Sequence, residues 1–234
     1  MGDGFHGSQA HRARDLVPGD ARLDRAIAPR NGCQAEPVGN IPTHVRHYYR
    51  AARRPFLNLS DLTDEQLDSV IDGLMVERLS GDHRRAFGRR YMELRRRTEA
   101  KMRRLFIEAG GRPERTSPHY FVLGESRWFE GLADDMCTVE LSIDQLPESS
   151  TSVTYPDSFT AMAIAPEYGL PYEPRPYHEQ VFPLGQLHEL IEKWGLPEDP
   201  VGGYENYEGR PFEMYVEIQV WSDEPVRPFL AGGD

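Results

Sequence analysis

Cysteine is almost absent from the chain, which contains only Cys33 and Cys137. Two cysteines in regions of different character cannot build a disulfide framework or a zinc site of several thiolates. Long apolar runs are absent as well, since none approaches the roughly 18 residues that a bilayer span needs. The N-terminus also lacks the uninterrupted apolar core of a secretory signal. We therefore predict a cytoplasmic protein with no membrane segment.

The common catalytic motifs are absent too. The chain has neither standard type of glycine-rich phosphate loop, no histidine pair with metal-binding spacing, and no serine in a nucleophile elbow. These absences argue against a P-loop NTPase, a standard zincin and an α/β-hydrolase. No cofactor and no metal site is predicted, and whether the chain is an enzyme stays open.

Lysine is scarce, because arginine outnumbers it 25 to 2. Arginine codons are GC-rich, so this bias indicates a GC-rich, bacterial coding sequence. The charges are also unevenly distributed. Residues 83–104 carry 10 basic and 2 acidic side chains, a net charge of +8, whereas residues 105–234 carry 7 basic and 24 acidic side chains, a net charge of −17. This asymmetry is the strongest single signal in the sequence.

The N-terminal half is predicted to contain a tail and a helical region. Residues 1–40 hold few large apolar side chains, so they cannot offset the entropy of ordering, and we predict disorder there. Residues 41–111 are predicted to form an α-hairpin. Its first helix begins near Ser60 or Thr63 and ends at 80–81. Its second helix, Arg-rich and amphipathic, covers about 83–107, with an apolar stripe from Phe87 to Leu105.

After Pro118 the periodicity changes from helical to alternating. Strands are predicted at 119–123, 137–143 and 214–220, with a weaker candidate at 159–165, and a short helix is predicted at 184–194. Because helices and strands do not alternate regularly, we predict an α+β fold with a mainly antiparallel sheet and one short packed helix. The acidic α+β domain covers 116–225, and a C-terminal tail covers 226–234.

The Arg-rich helix has three interpretations. Its arginines could bind an acidic protein surface or a second copy of the chain, could face carboxylates of their own chain, or could bind nucleic acid. Packing is favoured over nucleic acid, because a net charge of −11 repels a polyanion. Our leading functional hypothesis is a protein-interaction or oligomerising module that uses this helix and the Tyr/Pro-rich segment 163–184. The candidate binding residues are Arg84, Arg85, Arg89, Arg96, Arg97 and Arg103.

A second hypothesis is a small enzyme or a domain that binds a nucleotide or another small ligand. Its cleft would lie between the hydroxyl-rich segment 149–159 and the segment 172–182, because hydroxyl, carboxyl and imidazole groups there can bind a ligand or move a proton. The plainer alternatives are a Ser/Thr-rich loop in which Asp157 caps the following residues, and an exposed histidine at 178. The candidate catalytic residues are His119, Tyr155, Asp157, Arg175 and His178.

Overall fold

A six-stranded antiparallel sheet organises the part of the chain that the structure describes. This structure is a computed structural model, and it describes residues 41–81, 88–168, 172–197 and 213–230. The strand order is β3-β1-β2-β6-β4-β5. The strands are β1 (His44–Arg50), β2 (His119–Leu123), β3 (Met136–Ser142), β4 (Thr151–Thr154), β5 (Phe182–Pro183) and β6 (Glu217–Val220). The predicted α+β class is confirmed, and every strand pair among these residues is antiparallel.

Two longer and four shorter α-helices accompany the sheet in the described residues. They are α1 (Asp64–Ser80), α2 (Arg89–Glu108), α3 (Arg127–Glu130), α4 (Ser158–Ala161), α5 (Leu187–Trp194) and α6 (Arg227–Leu230). As predicted, Thr63 caps α1: its hydroxyl accepts from the Gln66 amide, and the Gln66 side chain accepts from the Thr63 amide. Gly81 ends α1 in the left-handed region, at a φ of 87° that favours glycine.

Several elements differ from the sequence predictions. Residues 44–50, within the segment expected to be helical, form β1, which pairs with β3 over seven residues. The expected strand at 159–165 is wrong, because residues 158–161 form α4, which Asp157 caps. Residues 151–154, expected to lie in a loop, form β4 beside β6. Residues 224–230, where the C-terminal tail was expected to begin, are helical. The tail expected at 1–40 and the helical residues expected at 83–87 lie outside the described residues.

The two faces of the sheet bury different kinds of side chain. One face is apolar and packs against α5, with Val45, Phe121, Val153 and Ile218 in the same buried cluster as Ile191. The other face carries the alternate residues of the same strands. Register aligns Tyr120 with Gln219 and Ser152, and Val122 with Glu217, so this second face is largely polar.

Helix α2 packs against the polar face of the sheet. Met102 and Phe106 of α2 are fully buried in a cluster with Trp221, which follows β6. After α2 the backbone passes close to the Phe106 ring at Gly111, where a Cβ atom would lie 2.4 Å from that ring and collide with it. Helix α1 in turn packs its buried Leu67 and Ile71 against Met92 of α2.

A buried carboxylate joins α2 to the sheet. Glu99 is 2% exposed. Its Oε1 atom accepts hydrogen bonds from Tyr120 Oη of β2 at 2.9 Å, from Arg95 Nε at 3.0 Å and from Ser60 Oγ at 3.0 Å. The Arg95 guanidinium also lies 4.7 Å from the centre of the Tyr120 ring. These contacts connect α2, β2 and the segment before α1.

No described helix is both long enough and apolar enough to cross a membrane.

Replacing Glu99 with alanine is expected to destabilise the protein strongly. The substitution leaves the guanidinium of Arg95 buried without its carboxylate, and breaking a buried ion pair in this way costs about 3–5 kcal/mol. Urea unfolding of Glu99→Ala measures the loss. The control is Glu93→Ala, at an exposed position of the same helix, which should change the free energy of unfolding by less than about 0.5 kcal/mol. Equal losses in the two variants would contradict the role assigned to Glu99.

Candidate functional site

A cavity of about 410 Å³ lies between α2 and the polar face of the sheet. Its wall is formed by residues of α2, β1, β2, α3, α4 and β6. The charged side chains of the wall are Arg46, Arg95, Asp157 and Glu217. The aromatic side chains of the wall are His47, Tyr48, Phe56, Tyr91, His119, Tyr120, Phe121, Trp128, Phe129, Phe159 and Tyr215.

Strands β1 and β2 separate beside the cavity. These strands pair at only two positions, Val45 with Leu123 and Arg46 with Val122. Beyond them the ring of His47 spans the gap, with Nδ1 2.9 Å from the Tyr120 carbonyl oxygen and Nε2 3.0 Å from the Phe56 amide nitrogen. Since the carbonyl only accepts and the amide only donates, Nδ1 carries the proton and the ring is neutral. Burial lowers the pKa of His47 to about 4, in agreement with this state.

Phe56 is held at the cavity wall in a strained backbone conformation. Its φ is 61°, in the left-handed region that a bulky residue rarely adopts. Such strain costs about 1–3 kcal/mol. The hydrogen bond from its amide to His47, and ring stacking on His47 at 4.1 Å between centroids, stabilise this conformation. The aromatic wall is therefore built partly by a strained segment.

Asp157 places a buried carboxyl group in the wall. It is 1% exposed, and its Oδ1 atom caps α4 by accepting from the amides of Phe159 at 2.9 Å and Thr160 at 3.1 Å. Its Oδ2 atom accepts from the Thr160 hydroxyl at 2.9 Å. Burial, followed by the nearby charge of Glu217, raises the pKa of Asp157 to about 7. Asp157 therefore exchanges a proton near neutral pH.

Glu217 belongs to a ladder of buried polar side chains on β4 and β6. Gln219 donates through Nε2 to Glu217 Oε1 at 3.1 Å and to Thr154 Oγ1 at 2.8 Å. Ser152 donates to Gln219 Oε1 at 2.9 Å and accepts from Trp221 Nε1 at 2.8 Å. These bonds explain how a hydroxyl-rich segment forms an interior strand of the sheet, because Ser152 and Thr154 find partners on β6.

His119 borders the cavity, but register points its side chain to the apolar face of the sheet, beside the Phe56 ring. Its Nε2 atom lies 2.8 Å from Asp223 Oδ1. Burial by itself raises the pKa of Asp223, but the hydrogen bond with His119 and the nearby Arg115 guanidinium lower that pKa overall. The Asp223 carboxylate is therefore ionised and only accepts hydrogen bonds. Burial lowers the pKa of His119, which keeps its ring neutral. Nε2 therefore carries the proton, and Nδ1, buried without a hydrogen-bond partner among the described residues, is an acceptor.

The other candidate catalytic residues lie elsewhere. The Tyr155 hydroxyl donates to the carbonyl oxygens of Trp194 and Gly195 at 3.1 Å, and the Tyr155 ring packs against Tyr177. Register explains the separation, since Tyr155 follows Thr154 and points to the opposite, apolar face. The Arg175 amide donates to His178 Nδ1 at 3.2 Å in a turn beside Tyr177. Only His119 and Asp157 of the five candidates line the cavity.

The described candidate arginines of α2 contact their own chain. Arg89 pairs with Asp68, Arg97 pairs with Glu167, and Arg96 binds Asp64 at 2.6 Å and the Leu62 carbonyl at 2.7 Å. Arg103 donates to the carbonyl oxygens of Arg115 at 3.0 Å and Pro113 at 3.1 Å. These contacts agree with the packing interpretation of the helix. Arg84 and Arg85 lie outside the described residues.

Sequence reasoning did not select Glu217 or Glu99 as site residues. Both lie at polar positions of amphipathic elements, which are exposed unless a second element covers them. The sequence signal that could have found them is the apolar stripe of α2, because a helix with such a stripe needs a face of the sheet to pack on. The face of β6 that carries residues 217 and 219 has no apolar residue at either position. Within the described ranges, no group of three or more His, Cys, Asp or Glu side chains could hold a metal ion.

Asp157→Asn is expected to change how stability depends on pH. A carboxyl group whose pKa is about 7 when folded and 3.8 otherwise favours folding below about pH 4, and this contribution is lost as the pH rises to about 7. The amide mimics the protonated form, so the variant should gain about 3 kcal/mol relative to the wild-type chain between about pH 5 and about pH 8. Urea unfolding at both pH values measures this gain.

Two comparisons make the Asp157→Asn measurement specific. His47 titrates in the opposite sense over part of the same range, since its lowered pKa favours folding as the pH rises, so only the difference between variant and wild type isolates Asp157. Glu217→Gln should make the pH dependence shallower, because it removes a charge that raises the pKa of Asp157. A variant-to-wild-type difference that is the same at both pH values would exclude a raised pKa at Asp157.

Comparison with known proteins adds no family to these observations, since no protein-family model, no curated protein and no solved structure matches the chain.

Proposed function

We propose that the protein binds a small organic ligand in the cavity beneath α2. The ligand's apolar or aromatic body would lie against the aromatic wall, and a polar group would bind Asp157. The observation that carries this proposal is the combination of the roughly 410 Å³ cavity with a buried carboxyl group in its wall. Small-molecule sites in proteins are mostly apolar clefts of about 300–1,000 Å³ with a few polar groups placed for recognition.

Energetic considerations support a ligand site over a simple packing defect. A strained Phe56 and a buried carboxyl group line one cavity. Each of these features reduces stability, and such features concentrate at functional sites. Asp157 can also donate or accept a proton near neutrality, which is the property of a general acid or base. Acid–base catalysis on the bound ligand is thus a natural extension of the binding proposal.

Indole is a suitable probe for this cavity, because it is flat, aromatic and small enough to enter. We expect the full chain to bind indole at millimolar concentration, as observed by ligand-detected NMR. Thr98→Phe should abolish binding, since Thr98 is a buried wall residue of α2 whose enlargement fills the cavity. Ala100→Phe places the same ring on the exposed side of α2 and should bind indole as the wild-type chain does.

The outcome that rejects ligand binding in this cavity is equally clear. If the wild-type chain does not bind indole, or if both phenylalanine variants bind it equally, the cavity is not the binding site. Circular dichroism and the unfolding midpoint of Thr98→Phe distinguish a filled cavity from an unfolded protein. A crystal structure with indole would show whether the ring lies against the aromatic wall.

A second proposal is self-association through α1. Met75, Val76 and Leu79 form an apolar strip on α1, and Val76 and Leu79 are 66% and 81% exposed. Such a strip is typical of an interface. Arg89 and Arg97 of α2 also keep more than half of their side chains exposed, so they can contribute contacts to acidic groups of a second copy. This proposal keeps the interaction function predicted for the helical region.

Light scattering coupled to size exclusion tests self-association. We expect a concentration-dependent dimer, which high salt weakens if arginine contacts contribute. Val76→Lys should yield a monomer, because it places a charge in the apolar strip, whereas Ser69→Lys at another exposed position of α1 should leave the dimer intact. A wild-type chain that stays monomeric at about 0.1 mM, a concentration at which even a weak dimer forms, would reject the proposal.

A further inference from the structure

We propose that the cavity selects ligands carrying a protonated amine, which Asp157 recognises as a carboxylate. This inference rests on the proposed ligand-binding function and names the chemical class of the ligand. It follows from the kind of hydrogen-bonding groups that the wall offers, from the charges that are already paired there, and from the aromatic character of the remaining surface.

The cations of the wall are already paired with carboxylates. Arg46 binds Glu125 and Glu140, each at 3.0 Å, and Arg95 binds Glu99 at 3.0 Å. These arginines therefore present little uncompensated positive charge to a ligand. An anionic ligand would have to displace Glu99 or the carboxylates around Arg46, which leaves a buried or half-buried acid without its cation.

Asp157 differs from these arginines in its surroundings. The hydrogen bonds that the described residues donate to it come from neutral groups, namely two backbone amides and the Thr160 hydroxyl. Glu217, in the same wall, adds negative charge beside it. A protonated amine that approaches Asp157 meets two carboxyl groups in an environment of low dielectric, where a charge-assisted hydrogen bond is stronger than in water.

The aromatic wall suits a cation as well as an apolar ring. Aromatic faces attract cations through their quadrupole, and this wall already demonstrates the interaction, since the Arg95 guanidinium lies 4.7 Å from the Tyr120 ring centre. Tyr48 stacks on Phe129, and Phe129 contacts Tyr215 at 5.1 Å between centroids. An aromatic amine would satisfy both features, with its ring against this surface and its ammonium group at Asp157.

Binding of an amine is linked to the proton on Asp157. In the free protein the pKa of Asp157 is about 7, so below neutral pH a proton occupies the group that the ammonium must contact. The amine displaces this proton, which leaves to solvent. Affinity for an amine therefore increases as the pH rises from about 5.5 to about 8, whereas affinity for a neutral ring does not change.

Three probes with the same ring separate these possibilities: neutral indole, cationic tryptamine and anionic indole-3-acetate. Calorimetric titration of the full chain at about pH 8 should show tryptamine binding at least about tenfold more tightly than indole, and indole-3-acetate more weakly than indole. At about pH 5.5 tryptamine should bind at least about tenfold more weakly than at about pH 8.

Asp157→Asn should bind indole and tryptamine with similar affinity at both pH values, because the amide keeps the cap on α4 and removes the negative charge. Retained indole binding shows that the cavity of the variant is intact. Asp134→Asn makes the same substitution at an exposed position outside the wall and should behave as the wild-type chain does.

The possible outcomes distinguish the preference for amines from the ligand-binding function on which it rests. Indole binding without a preference for tryptamine overturns the amine inference and leaves the ligand-binding function in place. A tryptamine preference that survives in Asp157→Asn overturns the role of Asp157. If the wild-type chain does not bind indole, the ligand-binding function fails, and the amine inference fails with it.

Discussion

The carboxylate of Glu99 is the contact on which the arrangement of α2 and the sheet depends. It accepts hydrogen bonds from Arg95 of its own helix, from Tyr120 of β2 and from Ser60 before α1. Three separate parts of the chain therefore converge on one buried oxygen atom. An ion pair of this kind adds little net stability compared with apolar packing, but losing one partner is costly, so it fixes the position of the helix.

This position of α2 creates the cavity. The C-terminal half of the helix packs against Trp221 through Met102 and Phe106. Its N-terminal half contacts β2 through Arg95, and Arg95 and Thr98 line the space between this half and the sheet. The short pairing between β1 and β2 adds to that space. Asp157 and Glu217 are both buried in the wall of this cavity, and desolvation by burial is the largest cause of the raised pKa of Asp157. The position of α2 thus determines both how the sheet is covered and how the carboxyl groups of the site behave.

The sequence predicted elements with strong periodicity and missed those without it. Thr63, the 67–71 spacing and Gly81 define α1 by local rules of capping and periodicity, and the structure agrees. In contrast, β1 and β4 each contain a single valine among arginine, histidine, tyrosine, serine and threonine, so neither shows the alternation of apolar and polar residues that marked β3 and β6. Their polar groups are satisfied by distant residues, such as Gln219 for Ser152. The candidate site was predictable only in part, since His119 and Asp157 were selected but Glu217 was not.

The sequence by itself determined the charge asymmetry, the two longer helices, the α+β class and the amphipathic character of α2. These properties follow from composition and from periodicities of a few residues, which need no knowledge of distant contacts. Tertiary structure decided which carboxylates meet the arginines, which face of β6 α2 covers, and that Asp157 and His119 line a cavity while Tyr155 and His178 do not. Burial raises the pKa of the Asp157 carboxyl group and leaves imidazole nitrogens of His44, His119 and His178 without a hydrogen-bond partner among the described residues. Burial in turn depends on residues far apart in the chain.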